Sequence, residues 1–521
     1  MDAIFHASYA SIDKTAIAQF MGVNFPILTG SLTLRTTNVY GGSRVFQMWK
    51  QMIIGNRIML IIPKGVFVRL QQKYNIPYTV KEMPDCPAEF VVADTAHLTN
   101  VQQDYVDRTL PILDGLAHNA IIVQETGGGK TFIAMGIMAK LHQRTLIVIP
   151  RHSIEGQWVA NIKAWFPNAR VATHGGSAKH AALAATADVV IMIVNTAVEK
   201  GPQTSGFGLT IFDEIHMYCT PEFNKVFFTA QSHYTVGLTA TPKRLDGMDK
   251  MLAMHFSTFV GPNPNVVEPI TPWQGLCRIV KYSGPLEFTK AYISAVTHTN
   301  CVPLLLSQLA RDPHRNALIA NITTDLAAHG HFVYVMTDRI SQLRAVQQLI
   351  AGGHPKTPTS GEPQPGPISL SCPELDGTQA TNVISLITGG AKADDIKDAT
   401  HNARVLLTTI SYSGTGLSID RMTALVLATP RRHGMQQILG RIFRHGYKPD
   451  VERVVIDIVD MKLSLKSQAT DRKKEYKRRD MTIIEEDVSY ESIIVVSGAC
   501  AASDSAEDDE AQVACLEGTT S

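Results

Sequence analysis

The 521 residues predict an α/β protein: two tandem parallel-sheet domains, a small N-terminal accessory domain and a disordered acidic C-terminal tail. Three observations carry this. Short apolar runs alternate with helical stretches from about residue 96, and the alternation starts again near residue 275. Strand–helix alternation implies a parallel sheet covered on both faces. A chain this long also exceeds one ordinary hydrophobic core, so two or three domains are expected.

Residues 1–95 hold two strand-like runs, Arg57–Pro63 and Glu89–Ala93, with turn residues between them. This is the expected accessory domain. Residues 96–270 hold the clearest strands of the first sheet: Ala120–Val123, Thr145–Ile149, Val189–Val194, Leu209–Phe212 and Thr235–Leu238. Residues 275–470 repeat the pattern with Phe332–Met336, Val383–Ile387, Arg404–Leu407, Ala424–Ala428 and Val454–Ile458. A Pro/Gly-rich stretch, Gly352–Gly377, interrupts this half and reads as a surface loop. Residues 471–496 open with Arg472, Lys473, Lys474, Lys477, Arg478 and Arg479, a basic helical extension. Such a run suits a phosphate backbone; a solvated helix face is the commoner reading. Residues 497–521 are small, polar and acidic, and read as disordered.

Composition narrows the partners without choosing one. The formal net charge is +1, so no global basic field announces nucleic acid, and any such binding must use a local groove. The 7 cysteines are scattered without close pairs, which suits a reducing compartment and argues against a zinc or iron–sulfur site. The 18 histidines show no ligand spacing. There is no signal peptide and no apolar run long enough to span a bilayer, so an intracellular protein without membrane contact is expected.

The chemistry concentrates at two places. Gln124-Glu125-Thr126-Gly127-Gly128-Gly129-Lys130-Thr131 lies between an apolar strand and the helical run Phe132–Leu141. Glycines let backbone N–H groups turn inward around phosphate oxygens. The new helix aims its positive N-terminus at the same anion. Lys130 is then placed for the β- and γ-phosphates and the Thr131 hydroxyl for Mg²⁺. The full pattern wants Gly at the first position, where this chain has Gln124. The second place is Asp213-Glu214-Ile215-His216, directly after the apolar run Gly208–Phe212. A carboxylate at a strand end suits Mg²⁺, and its neighbour suits orienting and deprotonating a water. Taken singly, a glycine-rich turn and a solvated acidic pair are the plain alternatives.

The set in order resembles the superfamily-2 helicases of the DEAD/H group over roughly residues 96–480, nearest to XPB-like translocases and the helicases of large nucleo-cytoplasmic DNA viruses. Pro150-Arg151-His152-Ser153 with Gln157-Trp158 resembles the segment after the second strand of the first motor domain. Thr239-Ala240-Thr241-Pro242 resembles the coupling motif, Val405–Ile419 the fifth motif and Gln437–Arg444 the sixth.

The resemblance implies two RecA-like motor domains, 96–270 binding ATP and 275–470 completing the site in trans. It implies that Gln102 reads adenine, with Gln103 leaving the register open by one. It implies that Glu125, Thr126, Gly127, Gly128 and Gly129 cradle the phosphates with Lys130, that Thr131 and Asp213 hold Mg²⁺, and that Glu214 positions the water. It makes Arg441 and Arg444 arginine fingers and Gln437 a nucleotide sensor. Ser418 stands where relatives carry a ribose-contacting aspartate, with Asp420 two positions later. His216, Thr239 and Thr241 take the coupling positions. Arg151, Gly175, Gly176, Asn195, Thr196, Thr337 and Thr409 match phosphate contacts in a nucleic-acid groove, contacts that carry no sequence information.

The expected activity is ATP-driven translocation on, or unwinding of, double-stranded DNA, in viral transcription, replication or repair. Transcription or replication proteins are the expected partners, and host cytoplasm, nucleus or virion the expected place. Asp-Glu-Ile-His, Gln157-Trp158 and the Gly-Arg-Ile-Phe-Arg ending lean toward DNA. An RNA helicase is one alternative, and a nucleotide-binding switch or assembly platform without turnover is another.

Overall fold

A computed structural model describes residues 3–22, 25–37, 43–54, 56–174, 178–199, 201, 206–244, 246–266, 275–290, 301–352, 368–369, 383–389, 391, 393–413, 419, 421–431, 434–443, 451–461 and 465–493. The chain forms two units, Met1–Pro269 and Ile270–Ser521.

The first unit is built on a seven-stranded sheet. In spatial order its strands are Val171–His174, Val189–Ile193, Thr145–Ile149, Leu209–Phe212, Tyr234–Thr239, Asn119–Val123 and Phe259–Val260, all paired in parallel. Thr145–Ile149, Val189–Ile193 and Leu209–Phe212 are buried at every position, as their unbroken apolar sequences require of strands covered on both sides. One core cluster joins the sheet to the helices Asn100–Leu113, Lys130–Leu141 and Glu155–Trp165. The other joins it to Val194–Glu199, Val226–Thr229 and Lys250–His255. C-terminal strand ends therefore share one edge, where the ligands of such sheets bind.

The N-terminal residues form a smaller, mainly antiparallel sheet in the order Lys50–Ile54, Arg57–Pro63, Tyr9–Asp13, Ala3–Phe5 and Thr79–Val80, with its own core. It is joined firmly to the large sheet. Leu34, within a two-stranded hairpin (Thr33–Thr37 and Ser43–Gln47), and Met48, directly after it, belong to the large sheet's second core cluster. Gly65, in the first turn of the helix Lys64–Tyr74, packs against backbone, where a Cβ would stand 2.6 Å from the Phe256 carbonyl oxygen.

Glu89–Ala93 is not the strand its sequence suggested. It runs as an extended strap whose polar groups are met singly: Asn168 accepts from the Val91 N–H and donates to the Glu89 carbonyl, and the Trp165 carbonyl accepts from Ala93. Val91 and Val92 are exposed, so the β-branched composition reflects no buried ladder.

The second unit holds an eight-stranded sheet ordered Ile368–Ser369, Val383–Ile387, Ala403–Thr409, Val333–Thr337, Ala424–Leu427, Arg453–Asp460, Gly275–Ser283 and Thr482–Ser489. Only the pairing of Ile368–Ser369 is antiparallel among its described strands. The fold class is the expected one, two tandem parallel α/β domains with a small N-terminal sheet domain.

The stretch expected as a basic helical extension is different. A helix spans Lys466–Arg478, and the chain then enters the sheet as the edge strand Thr482–Ser489. Four of the helix's basic residues, Arg472, Lys473, Lys474 and Arg478, turn inward or pair, while Lys477 is exposed. Arg472 is 1% exposed and bonds both oxygens of Asp457. Lys473 pairs with Glu485, and Arg478 with Glu475. The 497–521 tail lies outside the described residues. Among the described residues, no helix is long and apolar enough to cross a membrane.

Candidate active site

The glycine-rich loop leaves the strand Asn119–Val123 and enters the helix Lys130–Leu141. Gly127 (φ 89°) and Gly129 (φ 79°) take the left-handed conformation that other residues enter only at a cost. Gly129 caps the helix, so the N–H groups of its first turn face the loop. The Gln124 side chain, at the position where the pattern wants Gly, folds under the loop. A Cβ on Gly128 would collide with its amide, and the Tyr105 hydroxyl donates to its Oε1 at 2.9 Å.

Of the two adjacent glutamines, Gln102 faces this loop. It closes a capping box with Thr99, and a Cβ on Gly129 would collide with its side-chain amide. Gln103 instead donates to Asp107 along the helix surface.

The acidic residues follow the strand Leu209–Phe212, which Tyr234–Thr239 separates from Asn119–Val123 in the sheet. Asp213 prolongs the ladder of Leu209–Phe212, its N–H donating to the Val148 carbonyl at 2.9 Å. Glu214 follows at φ 46°, an uncommon conformation for a non-glycine residue and one concentrated at functional sites. The turn brings its Oε1 to 3.7 Å from Lys130 Nζ. Burial and the adjacent Glu214 charge raise the pKa of Asp213, while the Trp158 indole N–H, donating to its Oδ2 at 2.9 Å, works the other way.

His216 links this box to the coupling segment. Its Nδ1 lies 2.9 Å from Thr239 Oγ1 and 3.4 Å from Glu214 Oε2. The Thr239 oxygen also accepts from the Thr241 N–H at 3.1 Å. Burial lowers the pKa of His216. Arg244 donates to the His216 carbonyl at 2.9 Å.

A nucleotide with its metal fits these residues. The loop offers glycine backbone where side chains would collide. Among the described residues, the Thr126 hydroxyl oxygen is buried beside it without a hydrogen bond, as is Glu214 Oε2, which lies 3.4 Å from His216 Nδ1. Buried polar atoms of that kind call for a ligand. Thr131, half-buried in the first helical turn, and Asp213 supply the hard oxygen atoms Mg²⁺ takes.

The groove residues divide. Exposed Arg151 follows the strand Thr145–Ile149. Exposed Asn195 and half-buried Thr196 follow Val189–Ile193. All three lie at the strand-end edge that carries the glycine loop. Thr337 and Thr409 are register partners at adjacent strand ends of the second unit. Thr337 needs correcting as a phosphate contact. It is 0% exposed, and its hydroxyl bonds Gln342 at 2.6 Å and Thr429 at 2.7 Å, so it holds a turn together. Thr409 is nearly buried, its hydroxyl accepting from the Tyr412 N–H at 3.4 Å. Gly175, Gly176, Ser418, Asp420 and Arg444 lie outside the described residues.

Gln437 is half-buried on the helix Met435–Leu439, and Arg441 follows it in a turn, 7% exposed. Arginines hold that backbone from behind. Arg453 donates to the Ile442 carbonyl at 2.8 Å and Arg472 to the Arg431 carbonyl at 2.7 Å. The guanidinium of Arg479 lies 5.4 Å from the centre of the Phe443 ring. Sequence reasoning did not find this support, nor the Tyr105–Gln124 bond. The pair Gln157-Trp158 did signal a site element, but not that the indole reaches Asp213.

Comparison with known proteins identifies the family of the chain. The family described as "Type III restriction enzyme, res subunit" matches residues 95–244. The putative ATP-dependent RNA helicase QP509L of African swine fever virus (isolate Pig/Kenya/KEN-50/1950) is 30% identical over 435 residues, 80% of this chain and 78% of that protein. The putative helicase 161L of Invertebrate iridescent virus 6 is 24% identical, covering 69% of this chain and 76% of its own. The probable helicase D10 of Escherichia phage T5 is 26% identical over 46% of this chain and 50% of its own. A likeness of 30% sustained over most of both sequences is family membership, and the chain belongs to the superfamily-2 helicases of large DNA viruses, enzymes that use ATP.

Proposed function

We propose that this helicase hydrolyses Mg²⁺-bound ATP to move along or unwind double-stranded DNA, inside an infected cell, during viral transcription, replication or repair. The observation that carries the catalytic part is the convergence of Lys130, Asp213 and Glu214 at one sheet edge, with Lys130 Nζ 3.7 Å from Glu214 Oε1.

In this reading the N–H groups around Gly127, Gly128 and Gly129 bind the phosphate chain, and Gln102 meets the adenine. Lys130 neutralises charge on the β- and γ-phosphates. Thr131 and Asp213 hold the metal, which when bound supplies further positive charge to the phosphates. Glu214 orients the attacking water and accepts its proton. Arg441 and Arg444 stabilise the charge that develops in the transition state, a contribution worth about 10³–10⁵ in rate in related phosphoryl transfers. Gln437 senses the nucleotide, and Ser418 with Asp420 meets the ribose.

Coupling passes from Glu214 through His216 to Thr239 and Thr241, a path supported by the 2.9 Å His216–Thr239 contact. Arg151, Gly175, Gly176, Asn195, Thr196 and Thr409 bind the backbone of the track without reading its sequence, so binding weakens with salt. Transcription or replication proteins are the proposed partners.

RNA is the second reading, because QP509L is named an ATP-dependent RNA helicase. Comparing duplex DNA, single-stranded DNA and RNA as activators of hydrolysis separates the two. Stimulation by duplex DNA is expected. Stimulation by RNA alone would overturn the DNA assignment.

A further inference from the structure

We propose that Trp158 is a positioning residue for the metal-bound nucleotide: its indole N–H fixes the Asp213 carboxylate in the orientation that receives the metal. The inference rests on the reading that Asp213 holds Mg²⁺.

The Asp213 carboxylate is held from both sides. Its Oδ1 accepts from the Glu214 N–H at 2.9 Å, and its Oδ2 accepts from Trp158 Nε1 at 2.9 Å. The first bond is local and turns with the acidic loop. The second comes from 55 residues away, on the helix Glu155–Trp165. With one donor on each oxygen, the carboxylate cannot rotate without breaking a bond, and each oxygen keeps a lone pair.

The choice of donor matters. An indole N–H donates and cannot accept, so the direction of this bond is fixed. It carries no formal charge. A Lys or Arg at the same distance would cancel the negative charge that attracts a divalent cation, an effect that grows in a desolvated site. The indole gives orientation without that cost. Partners of this kind, one step behind the metal ligands, typically change metal affinity or activity by about 10–100-fold when removed.

The helix is anchored well enough to serve. Trp158 is 2% exposed within the core cluster that contains Ile133 and Met135 of the glycine-loop helix. One heptad later, Trp165 packs its ring 5.5 Å from that of Phe132, in the first turns of the same helix. One helix therefore touches both the acidic box and the phosphate-loop helix, tying the spacing of the two.

The test is Trp158→Phe, which keeps an aromatic ring and removes the donor. Mn²⁺ binding to the protein–ADP complex is titrated by electron paramagnetic resonance, alongside ADP binding without metal. Mn²⁺ affinity is expected to fall by about tenfold or more, with metal-free ADP binding unchanged. Unchanged Mn²⁺ affinity in the folded variant would overturn the proposal. An equal loss of metal-free ADP binding would also overturn it, since the ring would then only pack the site.

Asp213→Asn is the control for the underlying reading. If it weakens Mn²⁺ and Trp158→Phe does not, the positioning role fails alone. If neither does, the metal assignment of Asp213 fails with it. A second measurement needs no substitution at Trp158. With 5-fluorotryptophan in the otherwise native chain, the four signals are assigned by replacing the other three tryptophans. The Trp158 signal should shift on adding Mn²⁺ or Mg²⁺ with ADP, and not with ADP alone. No metal-dependent shift would contradict the inference.

Discussion

Lys64→Met should make the first unit more stable at neutral pH, and the advantage should vanish as pH rises. Lys64 opens the helix Lys64–Tyr74 and is 3% exposed. Its ammonium donates to the Ala7 carbonyl at 2.9 Å and lies 5.2 Å from the centre of the Phe5 ring. No carboxylate pairs with it among the described residues. It lines a small cavity, shared by the N-terminal sheet and the large sheet, with Ser8, Asn119, Phe227, Thr235 and His255. Burial pushes its pKa from the ordinary 10.5 down to about 7.

Because the folded value lies below the unfolded one, the unfolded chain holds more protons between pH 7 and 10.5. Stability must then rise with pH across that window. The full cost of the buried charge is on the order of 5 kcal/mol below pH 7, relieved at about 1.4 kcal/mol per pH unit above it. Methionine escapes that cost but leaves the Ala7 carbonyl without its donor, a loss of about 1–3 kcal/mol. The variant should therefore lead by roughly 2–3 kcal/mol at pH 7 and fall level with, or behind, the wild type near pH 10. Urea denaturation of both proteins, followed by tryptophan fluorescence from pH 7 to 10, measures the gap directly. A gap that stays constant with pH, or a less stable variant at pH 7, would refute the reasoning.

Three further outcomes are expected. Gln102→Ala should weaken ATP binding while Gln103→Ala should not, because only Gln102 faces the glycine loop; equal effects in a nucleotide titration would remove the distinction. Arg472→Met should destabilise the second unit by about 3–5 kcal/mol by leaving the Asp457 charge buried without its guanidinium partner. It should leave the salt dependence of nucleic-acid binding unchanged, and a shallower salt slope would return the basic helix to phosphate contact. Thr337→Val should cost about 1–3 kcal/mol in thermal or urea unfolding through its lost hydroxyl bonds, with nucleic-acid affinity intact; weaker binding at unchanged stability would restore Thr337 to the groove.

What could be read from sequence was what local chemistry fixes. Gln124–Thr131 announces itself because the turn, the lysine and the helix start are contiguous. Asp213-Glu214 does so because the preceding apolar strand is wholly buried. The misreadings share the opposite cause. Thr482–Ser489 falls within the stretch read as a basic helical extension, because the partners that seat its acidic residues, Arg278 and Lys281 on the strand Gly275–Ser283, lie some two hundred residues earlier. Glu89–Ala93 has strand-like composition, but its neighbours are an asparagine side chain and a helix end. The Trp158–Asp213 bond joins two segments that nothing in the chain order connects. The burial of Arg472 likewise depends on Asp457, 15 positions away on another element.

Lys130 and Glu214, meeting at one sheet edge, are proposed to drive ATP hydrolysis that a nucleic-acid track stimulates. The direct measurement is steady-state ATP hydrolysis by the wild type, Lys130→Ala and Glu214→Gln, each with and without duplex DNA, single-stranded DNA and RNA. Stimulated turnover is expected in the wild type, with none in either variant and retained ATP binding in Glu214→Gln. Turnover by Glu214→Gln at the wild-type rate, or a wild type that binds ATP yet hydrolyses none with any polymer, would contradict it.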